Sequence, residues 1–253
     1  MEYVRLGKTN LLASRISFGA MSLQDMQDAE LATQLVKKSY DAGINFFDTS
    51  HVKRKSEKLL GDALHEIRKN VIVATKSSAS SAKELLQDID ESLAIMHMDA
   101  IDIYQYEVSG FIPQKDSADR IYQTLVHAKS AGKIQHIGAV TEDFDIAVKI
   151  IKSGLYETLQ FPFNMISPVE TASLVDLCFE HDIGFLAMQP LCGGVISNIP
   201  LAFGFLYQFE NVFPLWSPRS LEELAHILYF NEHPPVIDDS FQQDIEKARM
   251  FFN

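Results

Sequence analysis

Short apolar runs punctuate the chain at near-regular intervals: Ile16 to Gly19, Ile44 to Phe47, Val71 to Ala74, Ile101 to Tyr104, His136 to Val140, Thr158 to Phe161, Gly184 to Met188 and Val212 to Trp216. Each is the length of a strand. A continuous run without alternation marks a parallel strand buried on both faces, helices covering one side and side chains filling the other. Between the runs lie stretches with helical spacing, such as Leu31, Leu35, Val36 and Tyr40, or Leu85, Ile89, Leu93 and Met96. Further helices are predicted over Ser56 to Arg68, Asp116 to Ala131, Ile146 to Ser153, Val169 to His181 and Ser220 to Tyr229.

Strand and helix therefore alternate about eight times, and right-handed crossovers of that kind close into a barrel. The predicted fold class is α/β, a (β/α)8 TIM barrel. A doubly wound open sheet is the rival, but it calls for a glycine-rich turn after the first strand, and Phe18-Gly19-Ala20-Met21 offers a single glycine. Ahead of the first run, Leu6-Gly7-Lys8-Thr9-Asn10-Leu11 reads as the turn of a short N-terminal β-hairpin placed to plug the barrel bottom. No linker interrupts the pattern, so residues 1–253 read as one domain.

Composition narrows the function. A net charge of −12 argues against a nucleic-acid partner, since affinity for phosphate backbones rests on clustered Lys and Arg. Cys178 and Cys192 stand far apart with no metal-type spacing, which suggests neither a disulfide framework nor a thiolate site and fits a cytoplasmic setting. The start of the chain has no apolar stretch after a basic region, and no uncharged run approaches the roughly 20 residues of a membrane span, so neither signal peptide nor membrane helix is expected. The eight histidines do not gather with carboxylates, so no metal is expected and metal-assisted hydrolysis ranks last.

In barrels of this class the chemistry sits where strands end. Asp48, Lys76 and Glu107 each close an apolar run. Singly they read equally well as a turn cap, a solvent-facing cation and a rim carboxylate. Together, facing one mouth, they would lie within Coulomb range of each other, the arrangement by which sites shift pKa values.

Here a family resemblance becomes specific. Phe46-Phe47-Asp48-Thr49-Ser50, Ser56-Glu57 with Leu60-Gly61, Ala74-Thr75-Lys76, Gly132-Lys133-Ile134 with Ile137-Gly138, Gln160 with Pro162-Phe163-Asn164, and Pro190-Leu191 with Gly193-Gly194 resemble, in order, the motifs of the aldo-keto reductases. Arg5-Leu6-Gly7-Lys8-Thr9 also matches, and Pro214 to Arg219 is similar to the closing motif of some bacterial members. The resemblance implies an oxidoreductase in which NADPH or NADH delivers hydride to a small-molecule carbonyl while a tyrosine, tuned by a lysine and an aspartate, gives the proton.

By position Asp48 and Lys76 correspond to that aspartate and lysine. The tyrosine position holds Lys53, and the segment His51-Val52-Lys53-Arg54-Lys55 reads as a solvated basic loop. The histidine position holds Glu107, as in the steroid double-bond reductases of the superfamily, where a neutral carboxyl hydrogen-bonds the substrate carbonyl. For the cofactor the resemblance implies Gln160 at the nicotinamide carboxamide, Leu191 and Gly194 in the covering loop, Met188 in place of the stacking aromatic, and Trp216 with Arg219 toward the phosphates. Val140-Thr141 replaces the usual Ser-Asn, the loop after Gly194 is shortened, and His226-Ile227 falls where a Glu-Asn meets adenine. A catalytically atypical oxidoreductase is one expectation; a non-catalytic relative that binds a nucleotide or metabolite is the other. Oligomeric state is not legible, and Phe203, Phe205, Tyr207 and Phe209 read as core residues.

Overall fold

The computed structural model describes residues 1–252. An antiparallel hairpin of β1 (Tyr3–Arg5) and β2 (Leu12–Ser14) comes first. Eight parallel strands follow: β3 (Ser17–Gly19), β4 (Phe46–Asp48), β5 (Ile72–Ser77), β6 (Ile101–Glu107), β7 (Ile134–Val140), β8 (Thr158–Pro162), β9 (Gly184–Met188) and β10 (Val212–Trp216). They close into a barrel in chain order, with β10 pairing back onto β3. The hairpin and the (β/α)8 barrel are thus both present.

Side chains sort by the two-residue period of the strands. Phe46, Ala74, Ile103, Leu186, Phe213 and Leu215 point inward and form one cluster, which Leu6 and Ala13 of the hairpin enter from below. Leu6 is fully buried there, worth about 1.5–3 kcal/mol relative to exposure, so the plug contributes to stability as well as closing the bottom. The outward residues meet the ring of helices in a second, larger cluster.

That ring comprises α1 (Ala29–Asp41), α2 (Arg54–Leu64), α3 (Ala82–Met96), α4 (Ile121–Ser130), α5 (Phe144–Ser153), α6 (Ala172–Glu180), α7 (Ile199–Tyr207) and α8 (Leu221–Glu232), with α9 (Asp239–Phe252) packed on α7. Asp28, Ser81, Asp143, Asn198 and Ser220 cap α1, α3, α5, α7 and α8 by accepting from first-turn amides. Gly61 lets α2 approach α3 closely, since a Cβ there would stand 2.5 Å from the Cα of Met96. Among the described residues no helix is long and apolar enough to cross a membrane.

Three differences from the predicted elements have physical causes. Several strands run past their apolar cores, so that Asp48, Lys76 and Glu107 lie inside β4, β5 and β6: backbone pairing continues where side-chain hydrophobicity stops. The helix predicted from Asp116 starts at Ile121, because Arg120 takes a left-handed backbone (φ 59°) that sets the helix entry. Helix α7 was not predicted at all. It lies between the barrel wall, α8 and α9, with Leu201 through Leu206 all buried, and a helix covered all round shows no polar stripe. Phe203 and Phe205 are core, as expected, whereas Tyr207 and Phe209 are only partly buried against it.

Candidate active site

A cavity of about 840 Å³ opens at the carboxyl ends of the strands, within the range of about 300–1,000 Å³ common for small-molecule sites. Asp48, Lys76, Glu107 and Lys53 all line it, as do Gln160, Met188, Leu191, Gly194, Trp216 and Arg219. The fold therefore brings these residues to one mouth.

At the floor, Lys76 Nζ donates to Asp48 Oδ2 at 2.6 Å and to the carbonyl of Thr49 at 2.6 Å. An ammonium has three N–H groups, so one is left uncommitted. Both side chains are almost wholly buried. Burial pushes the Asp48 carboxyl above its ordinary value, an effect opposed by Lys76 and by the amides of Gln160 and Gln105. Gln105 was not foreseen as a site residue. Its Nε2 donates to Asp48 Oδ1 and to Gln160 Oε1, each at 3.0 Å, and Gln160 Nε2 lies 3.4 Å from Asp48 Oδ2. The signal was available: Ile103, Gln105 and Glu107 share the inward face of β6 by alternation.

Glu107 ends β6 half-buried. Desolvation raises its pKa; Lys76 opposes the shift, while Asp48 and Glu142 add to it. This is the direction that keeps a carboxyl protonated and able to donate.

The loop after β4 corrects the reading of a solvated basic segment. Val52, Arg54 and Lys55 are exposed, but Lys53 is half-buried at the cavity wall and His51 is buried at 5% exposure. The reason is tertiary: helix α3 presents Asp88, Glu91 and Ser92 to the imidazole, and neutralising carboxylates make its burial tolerable. Among the described residues no tyrosine takes over the missing phenol. Tyr106 donates its hydroxyl to the carbonyl of Ala79, and Tyr104 points out of the barrel into the helix-side cluster.

The residues on the far side of the mouth are partly committed within the chain. The indole of Trp216 is buried and stacks on Phe203 at 5.7 Å, so its ring belongs to the outer packing. At the start of α8 the Arg219 amide donates to Glu223 Oε2 at 2.7 Å and the Glu223 amide to Ser220 Oγ at 3.1 Å. These two amides, suited by position to a phosphate, are engaged by side chains of the helix start itself. The Arg219 side chain is exposed at the rim.

The closed eight-stranded barrel with a lysine–aspartate pair at the mouth defines the class of protein, and sequence comparison agrees. Residues 15–199 match the model of the Aldo/keto reductase family, and the chain belongs to that family. It is 31% identical to L-galactose dehydrogenase of Arabidopsis thaliana over 239 residues, covering 88% of this chain and 72% of that protein. It is 24% identical to an uncharacterized oxidoreductase, YqkF, of Bacillus subtilis, covering 92% of this chain and 81% of the other. In structure it is similar to the aldo-keto reductase AKR11C1 from Bacillus halodurans in its holo form, with a TM-score of 0.84 at 19% identity over 98% of this chain and 96% of that one. Other relatives include L-glyceraldehyde 3-phosphate reductase of Escherichia coli and a probable voltage-gated potassium channel subunit beta of Arabidopsis thaliana, and members of the family use a nicotinamide dinucleotide.

The residues present fit such a group. The cavity is lined from Gly19 past Gln160 and Met188 to the Leu191–Gly194 loop and Arg219. Gly193 and Gly194 have positive φ (66° and 98°) and nothing within 4 Å of the place a Cβ would take, so the loop can lie close over a bound molecule. Thr141 supplies one polar group beside Val140, where the family pattern has two.

Proposed function

We propose that the protein is an NADPH- or NADH-dependent reductase acting on a carbonyl or related small molecule, with Glu107 rather than a tyrosine as proton donor. The observation that carries this is a desolvated carboxyl, raised in pKa, in the same mouth as an intact Lys76–Asp48 pair. A nicotinamide dinucleotide held by Gln160, Met188, Leu191, Gly194 and the Trp216–Arg219 edge would supply the hydride.

Glu107, protonated, donates a hydrogen bond to the substrate oxygen and then its proton. The uncommitted N–H of Lys76 and the ammonium of Lys53 stabilise negative charge that develops there. Asp48 holds Lys76 ionised and in place. Gln105 fixes Asp48 and Gln160 in one network, so that the hydride and proton sides of the site share a support.

A non-catalytic binding role is favoured by one observation: both ends of the Gln160 amide are already engaged by Gln105 and Asp48, with no phenol near Lys76 to complete the usual donor. Titration with NADPH and with NADH, followed by nicotinamide fluorescence, separates the two. Saturable binding with turnover that falls about 10²–10⁴-fold in Glu107→Gln supports the reductase. No binding of either dinucleotide at millimolar concentration eliminates it. Lys53→Tyr restores the family's phenol, and a gain in carbonyl reduction would show that this site still orients a substrate.

A further inference from the structure

Outside the cavity, directly behind Lys76, lies a second buried polar cluster that the proposed reaction does not use. Its centre is the His51 ring. From α2 it is faced by Glu57 and Arg54 and from α3 by Asp88, Glu91 and Ser92; behind these partners stand Thr75 and Ser77 of β5 and Tyr104 of β6. Nδ1 lies 2.9 Å from Ser92 Oγ and 3.4 Å from Glu57 Oε2. Glu57 Oε1 accepts from Thr75 and Ser92, both at 2.8 Å, Ser77 bonds Asp88, and Arg54 pairs with Glu91 at 2.5 Å.

The other ring nitrogen faces a choice. Nε2 is 3.4 Å from Asp88 Oδ1 and 3.4 Å from Arg54 Nη2. The first contact requires an N–H on that nitrogen, the second a lone pair. Ser92 Oγ gives its proton to Glu57 Oε1, so Nδ1 carries an N–H in either state and protonation of Nε2 selects the partner: the imidazolium bridges the loop to α3 through Asp88, whereas the neutral ring accepts from Arg54 on its own side. The surrounding charge favours the imidazolium, since Glu57, Asp88 and Glu91 are balanced by Arg54 alone. In keeping with that, Glu57 and Asp88 raise the histidine's pKa.

The same loop reaches into the mouth. The His51 amide donates to the carbonyl of Lys76 at 2.9 Å, Thr49 offers its carbonyl to Lys76 Nζ, and Lys53 lines the cavity. We infer that His51 is a positioning residue: its ring, held between the carboxylates of α2 and α3, clamps the segment Thr49–Lys53 and so fixes both the Lys76 contact and the placement of Lys53. It touches no reacting atom and acts through the backbone. The inference does not need the redox reading, because the clamp exists without any bound molecule.

Amide hydrogen exchange on the intact chain, with no nucleotide added, tests it. Protection factors for residues 50–53 are followed from about pH 6 to about pH 10, while ring-carbon NMR shifts report the His51 titration in the same samples. Expected is a loss of protection of about tenfold as His51 deprotonates, with the β8 amides unchanged. His51→Gln should show the loosened value at every pH, His51→Lys should restore protection through neutrality, and Asp88→Asn should move the transition to lower pH. Protection that stays flat through the His51 titration in the unaltered protein overturns the inference even if no variant folds. So does a midpoint unmoved by Asp88→Asn.

Discussion

Strand β5 carries two buried polar clusters back to back. Lys76, pointing inward, joins Asp48, Gln105 and Gln160; Thr75 and Ser77, pointing outward, join Glu57, His51, Asp88 and Ser92. Neighbouring residues on one strand thus serve two environments that differ in one respect. The outer cluster is sealed between strand and helices, and its donors and acceptors are largely paired within the chain. The inner cluster opens onto an 840 Å³ cavity with an N–H of Lys76 and the Glu107 carboxyl unclaimed. Unclaimed polar groups in a desolvated mouth are what a site for chemistry requires; groups paired mostly with one another and closed off from solvent make a support.

The contrast is tested most severely by unpairing the inner cluster. Lys76→Met leaves the Asp48 carboxylate buried without a counter-charge and should cost about 3–5 kcal/mol in urea unfolding. The double variant Asp48→Leu/Lys76→Met, which removes both charges, should recover most of that loss. If the single and double variants are equally unstable, the pair is not what holds the floor.

In the outer cluster, Glu57→Leu orphans the hydroxyls of Thr75 and Ser92 and one side of His51, at about 1–3 kcal/mol for each group left unsatisfied. The expected loss is about 3 kcal/mol, and Glu57→Gln, which keeps an acceptor oxygen, should lose less. Equal losses for the two would mean that shape rather than hydrogen bonding sustains the seal.

Tyr104→Phe sharpens the same point from the other side. The Tyr104 hydroxyl is buried beside Ser77 and Ser92 but makes no well-formed hydrogen bond among the described residues, so its removal should change stability by less than about 1 kcal/mol and with either sign. A larger loss would show the phenol to be part of the network.

The last expected signal is a difference in pH response. Glu107 and His51 both have folded pKa values raised above their unfolded ones, so each contributes stability that is complete at low pH and lost as pH rises through the folded value. For Glu107 that window starts near the ordinary carboxylate range, for His51 near neutrality. Stability against pH should therefore decline in two ranges, the lower, to which the raised Asp48 carboxyl also contributes, made smaller in Glu107→Gln and the upper absent in His51→Gln.

Residue by residue, legibility followed the same division. Asp48, Lys76 and Glu107 could be found because each ends an apolar run on a strand whose partners are of the same kind, and a barrel brings all such ends to one face. Gln160, Leu191 and Gly194 followed from family motifs. Gln105 carries only a weak signal, its alternation with Ile103 and Glu107 on β6. His51 was misplaced in solvent because what buries it comes from α3, some forty residues along the chain, and depends on the close packing of α2 on α3 at Gly61.

Taken alone, the order and spacing of apolar runs determined the barrel, the inward plug of the hairpin and the convergence of the strand-end ionisable residues, since these depend on periodicities of two and 3.6 residues that any local window contains. Only the tertiary structure decided that Lys53 enters the mouth, that His51 is sealed behind Lys76, that the Trp216 ring stacks on Phe203 and that α7 is a helix enclosed on all sides. Each of those rests on which distant surface covers a side chain, and the free energy of burying a polar or aromatic group is set by that partner rather than by its neighbours in sequence.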